Sequence, residues 1–163
     1  MNKKIASKIV VASILLIALI FGGLYLFKKI KGTSQKYENS QYNFELTMPA
    51  TWKGFKVEET DTKLSENESI KNLYFKVPVR DDRDDYEGGI SYEDGFIIMV
   101  TPISAISKCQ EPDCFMGGEI GRSDKYYYGY LSGYAAGYFF NDEHRERLKE
   151  TQGIIDSFKI EKQ

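Results

Sequence analysis

The sequence predicts an α+β fold: an antiparallel sheet packed with helices, preceded by one N-terminal transmembrane helix. Three observations predict it. The run Ile9 to Phe27 carries no charge over 19 residues. Several later segments alternate apolar and polar residues, the period of a half-buried strand. One stretch near the end, Glu143 to Ile155, spaces its apolar residues as a helix does.

The apolar run reads IVVASILLIALIFGGLYLF. As a helix rising ~1.5 Å per residue it is ~28 Å long, about the thickness of a bilayer's hydrocarbon core. Residues 1–8 form a basic tail with Lys3, Lys4 and Lys8. Such a head also begins a cleaved signal peptide. Here Lys28-Lys29-Ile30-Lys31 stands where small cleavage-site residues are needed, and no cysteine follows the run to accept a lipid. Residues 9–27 are therefore expected to be an uncleaved signal-anchor. Both flanks carry three lysines, so charge does not orient it.

The chain has 163 residues and a net charge of −2. Residues 1–31 hold six lysines and no acid, which leaves 16 basic and 24 acidic residues beyond, a net of −8. An acidic domain repels phosphate backbones, so a nucleic-acid partner is not expected. The remaining length suits one ordinary domain.

Two cysteines, Cys109 and Cys114, lie in CQEPDC. A short proline-containing loop lets its ends meet, and a disulfide is expected in an oxidising compartment. No metal is expected, because zinc takes four ligands and His144 is the one histidine. Redox catalysis is disfavoured by the spacing, which is not CxxC. The oxidisable loop supplies the orientation that charge does not: N-terminus cytoplasmic, domain extracytoplasmic.

Residues 28–40 are expected to be a linker, since Gly32 to Asn39 is polar and without periodicity. The domain follows over residues 41–161. Phe44, Leu46 and Met48 alternate with Asn43, Glu45 and Thr47, a strand stopped by Pro49. Trp52 and Gly54 make a corner. Phe55 and Val57 start a second strand, and Glu58 to Ser69 reads as loop. Leu73 to Arg80 is a third strand, with Pro78 at an edge or strand end. The acidic loop 81–94 fails the calcium-loop pattern, because Tyr86 and Glu87 fall where an acid and a glycine are needed. Phe96 to Val100 (FIIMV) is continuous and apolar, the mark of a central strand.

Glu119 to Arg122 and Lys125 to Ser132 read as two strands turned by Ser123-Asp124. Gly129-Tyr130, Gly133-Tyr134 and Gly137-Tyr138 repeat every four residues. Interior glycines each cost a helix ~1 kcal/mol, so a tyrosine-rich strand entering a glycine-rich bend is the better fit. Buried sheet tyrosines are the plainer expectation. Exposed together, Tyr128, Tyr130 and Tyr134 form a candidate partner surface within Tyr126 to Tyr138. Asn141 or Asp142 can cap the final helix. Glu143 and Arg147 can pair across one turn, and His144 reads as a packed, hydrogen-bonded residue. Ser157 to Ile160 closes the domain as a strand.

Three segments carry a resemblance. Tyr42-Asn43-Phe44 through Pro49-Ala50-Thr51-Trp52, the strand FIIMVTP, and Gly153-Ile154-Ile155-Asp156-Ser157-Phe158-Lys159-Ile160 together resemble PsbP-like domains over residues 37 to 161. Asn43 stands where that pattern usually has glycine. The resemblance implies an antiparallel sheet between helices, an α/β/α sandwich. It transfers no catalytic residue and no cofactor, since its motifs are a proline stop and core aromatic residues.

The expected function is accordingly a membrane-anchored extracytoplasmic binding or accessory domain for a small ligand or a protein. The alternatives are an envelope-assembly subunit using the tyrosine surface, and a hydrolase with carboxylate chemistry. An enzyme needs partners within hydrogen-bond reach, and no catalytic set is legible.

Overall fold

Alternation decides most of the strands. The computed structural model describes residues 32–66, 68–81, 89–106, 117–132 and 140–161. Strands β1 (Gln35–Asn39) and β2 (Phe44–Met48) form an antiparallel hairpin, and β8 (Lys159–Ile160) joins the other side of β2. Strands β3 (Lys56–Lys63), β4 (Ser69–Arg80), β5 (Ile90–Pro102), β6 (Gly118–Arg122) and β7 (Tyr126–Ser132) form a second antiparallel sheet in the order β3-β4-β5-β7-β6. Three short helices complete the described chain: α1 (Ile103–Ile106), α2 (Asp142–Lys149) and α3 (Thr151–Ile155). The class is α+β. In place of one sheet between helices, the strands divide into two sheets.

The two sheets share one core. Phe44, Leu46 and Met48 of β2 are buried, while Thr47 between them faces solvent. Opposite them lie Leu73, Phe75, Val77 and Val79 of β4, Phe96, Ile98 and Val100 of β5, and Tyr128 of β7. Phe75 and Phe96 stack at 4.4 Å, with their planes 8° apart. Tyr37 of β1 meets Phe75 edge-on at 5.1 Å, which ties the small sheet to the large one. Burial of these apolar faces is the main driving force for the fold.

Several expectations are corrected. The tether expected over Gly32 to Asn39 contains β1, whose Tyr37 pairs with Leu46 and packs on the core. The loop expected over Glu58 to Ser69 is mostly strand: β3 runs to Lys63 in full register with β4. β3 is an edge strand with both faces largely in water, and beyond Val57 its composition is polar. The acidic loop expected over 81–94 gives way to strand at Ile90. The final helix breaks at Glu150 into α2 and α3. FIIMV does lie in the central strand, and β6 and β7 form the expected hairpin. Pro78 lies beyond Lys76, the last β4 residue paired with β3, so its missing N–H costs that ladder nothing.

One bulge organises the middle of the large sheet. Phe75 faces Phe96, yet Lys76 faces Asp94, so Gly95 is the extra residue. A Cβ on Gly95 would lie 2.2 Å from Cη2 of Trp52. The bulge thus admits the fully buried Trp52 ring, which sits on a single 3-10 turn, Ala50–Trp52. Asp94 offers its carbonyl to Nε2 of His144 at 3.0 Å. Nδ1 of His144 accepts from the Phe140 N–H at 3.1 Å, so the proton sits on Nε2. The Asn141 side chain caps α2 by accepting the His144 N–H at 2.8 Å. His144 is a buried strut joining α2 to the bulge.

Among the described residues no helix is long and apolar enough to cross a membrane. The expected anchor 9–27, the pair Cys109 and Cys114, and Tyr134 lie outside the described residues.

Candidate functional site

Of the tyrosines expected to form a partner surface, Tyr128 and Tyr130 lie among the described residues, and neither is fully exposed. Tyr128 is fully buried in the core. Its hydroxyl donates to the Tyr42 carbonyl at 2.6 Å, which satisfies a buried polar group on each side. Burial also raises its pKa. Tyr130 is half-buried and packs beside Phe96. The period-2 geometry of β7 explains their burial: Tyr126, Tyr128 and Tyr130 share the face that meets the small sheet.

Turning those side chains inward leaves a different feature at the strand ends. An open cleft of about 500 Å³ lies between the β6–β7 turn and the adjoining ends of β2 and β8. One wall is the turn, Arg122 to Tyr126. The other is Asn43, Ile160 and Glu161. The volume falls in the range of small-molecule sites, roughly 300–1,000 Å³.

Each wall is fixed locally. Ser123 holds the turn: its Oγ accepts the N–H groups of Tyr126 at 3.0 Å and Lys125 at 3.3 Å. The Ser123 N–H in turn donates to the Tyr126 carbonyl at 2.8 Å. On the opposite wall Asn43 has φ of 54°. This left-handed conformation favours glycine or asparagine. The Glu161 N–H donates to the Asn43 carbonyl at 2.9 Å and extends the β2–β8 ladder into the cleft wall. Between the walls, Tyr126 meets Tyr42 edge-on at 5.7 Å.

The polar groups divide into engaged and free ones. The Arg122 guanidinium lies over the Tyr127 ring at 5.6 Å and reaches Glu119 at 3.3 Å. The Tyr42 hydroxyl, behind the cleft, donates to Glu59 at 2.9 Å. Its pKa is raised, first by burial and then by that carboxylate. Among the described residues, the Asn43 amide, the Asp124 carboxylate and the Tyr126 hydroxyl have no protein partner. These groups can both donate to and accept from a ligand.

Glu161 also borders an acidic cluster on the outer face of the small sheet. Carboxylate oxygens of Glu38, Glu45 and Glu161 all lie within 4.8 Å of one another. The Lys36 ammonium sits among them, 2.7 Å from Glu38, in contact with Glu45 and 4.0 Å from Glu161. Hydrogen bonds to Glu38 and Glu45 raise the Lys36 pKa. The Lys36 bond lowers that of Glu45. The three carboxylates could supply oxygens to a hard cation, but Lys36 already serves as their counter-ion.

Of the cleft residues the sequence singled out Tyr126 alone, as one end of the expected tyrosine surface. Asn43 and Glu161 stand more than a hundred residues apart in the chain, and the register of β2 with β8 brings them together. Comparisons with protein-family models, with curated proteins and with solved structures find no match for this chain.

Proposed function

We propose that this protein is a membrane-anchored extracytoplasmic binding or accessory domain, and that the cleft between the β6–β7 turn and β8 is its binding site. The cleft carries the proposal. It is concave, of small-molecule size, and three of its polar groups, on Asn43, Asp124 and Tyr126, are left unpaired among the described residues. The uncharged run 9–27 supports the anchor, and the Cys109–Cys114 spacing supports an oxidising compartment. The resemblance to PsbP-like domains belongs to this proposal as well. It is supported by the left-handed Asn43, the buried Trp52, and the packing of Phe158 on Phe44 at 5.3 Å.

Cysteine labelling tests both halves. In a full-length chain with Cys109 and Cys114 replaced by serine, Asp124→Cys is expected to react with a membrane-impermeant maleimide on intact cells. Reaction only after lysis overturns the outward orientation. Native mass spectrometry of the membrane-extracted chain is expected to show a bound small molecule that alkylation at residue 124 displaces. A bound species that survives alkylation, or none at all, overturns the cleft as the site.

A further inference from the structure

We infer that the cleft takes a neutral, hydroxyl-rich ligand, one or two sugar rings in size. This rests on the reading of the cleft as the binding site and names what it binds.

Charge gives the first reason. The cleft walls carry two cations, Arg122 and Lys125, and two anions, Asp124 and Glu161. Its balance is zero, in a domain of net −8. An anionic ligand meets Asp124 and Glu161 within the cleft and a repelling field around it. Arg122 is already engaged by Glu119 and by the Tyr127 ring. A cationic ligand meets Arg122 and Lys125.

The free groups give the second. The Asn43 amide offers two donors and an acceptor, the Asp124 carboxylate offers acceptors, and the Tyr126 hydroxyl offers one of each. A polyol presents hydroxyls that both donate and accept, so it can satisfy all three without a net charge. The ring of Tyr126 and the side chain of Ile160 line the same space. They provide an apolar surface for the C–H face of a sugar ring.

The walls are pre-set, which is the third reason. Ser123 locks the turn that carries Asp124 and Tyr126. The β2–β8 ladder and the left-handed backbone of Asn43 fix the other side. A ligand that orders few protein groups on binding loses little of its gross interaction free energy.

The test uses the full-length chain in detergent micelles and two probes, the neutral disaccharide N,N-diacetylchitobiose and the zwitterion glycylglycine. Saturation-transfer NMR is expected to show contact with the disaccharide. Asn43→Gly keeps the left-handed backbone and removes the amide, and Asp124→Ala removes the carboxylate from an exposed turn. Each is expected to weaken disaccharide binding about tenfold, the loss of one hydrogen bond. Thr62→Ala on the exposed edge strand is expected to leave it unchanged. Trp52 fluorescence monitors folding of every variant. Transfer to glycylglycine but not to the disaccharide, lost in both cleft variants, overturns the ligand class and leaves the cleft as a site. Disaccharide binding indifferent to both variants overturns the location. Transfer to neither probe overturns the inference.

Discussion

The hydroxyl of Tyr128 donates to the carbonyl of Tyr42 across the interface between the two sheets, at 2.6 Å. One bond thereby joins β7 to the β1–β2 turn, residues 86 positions apart. It turns a tyrosine that could have served a partner into part of the core.

Tyr128→Phe is therefore expected to destabilise the fold. The ring still fills its place, but the Tyr42 carbonyl loses its donor. A buried acceptor left unpaired costs about 1–3 kcal/mol. Urea unfolding, followed by the single tryptophan, measures it. An unchanged midpoint sinks the idea that this bond holds the sheets together.

Gly95→Ala tests the bulge. The new methyl would lie 2.2 Å from the Trp52 ring and 3.0 Å from the Phe75 carbonyl oxygen. Either the ring or the strand must move, at a cost of about 1–3 kcal/mol. The emission of Trp52, buried in the parent, is expected to shift to the red. A variant with parent emission and stability would mean that the ring has room to move.

His144→Ala removes a strut with two ends. The Asp94 carbonyl and the Phe140 N–H both lose their partner. Each part-buried hydrogen bond lost costs about 0.5–1.5 kcal/mol, and the loss of ring packing adds to it. Hydrogen exchange is expected to quicken first in α2 and at the bulge. Uniform quickening across both sheets would show instead that His144 acts on the whole fold.

Glu143 gives a pH dependence with a definite sign. The Arg80 N–H donates to its carboxylate at 3.0 Å, and Arg147 bonds it at 2.8 Å. The backbone bond first, and then Arg147, hold its pKa below the ordinary 4.5. A carboxylate with a depressed folded pKa contributes its stability above the unfolded value. That contribution is lost as pH falls from 4.5 through the folded value. Glu143→Gln is expected to flatten the stability profile in that acid window and to lower the midpoint at neutral pH. An acid limb identical to the parent's counts against this role for Glu143.

Periodicity and local chemistry made part of the molecule legible. β2 and the central strand follow from their apolar residues, the β6–β7 turn from Ser123-Asp124, and the start of α2 from Asn141. The Glu143–Arg147 pair and a hydrogen-bonded His144 follow from helical spacing and from base chemistry. These features are local, so a short window of sequence contains their cause.

What escaped was set by neighbours distant in the chain. β1 shows one strongly apolar residue, Tyr37, and becomes a strand because β2 lies beside it. Beyond Val57, β3 is polar on both faces because it is an edge, and only its register with β4 reveals how far it runs. The division into two sheets depends on which strands pair, and composition does not encode that.

The candidate site shows the same boundary. By itself the sequence determined a membrane-length apolar run, an acidic α+β domain and the strands that alternate. The tertiary structure decided that Tyr128 faces inward and that Asn43, Asp124 and Tyr126 meet around a cleft. The physical reason is that side-chain direction along a strand follows from the pleat, whereas the face that becomes buried depends on where the opposing sheet packs.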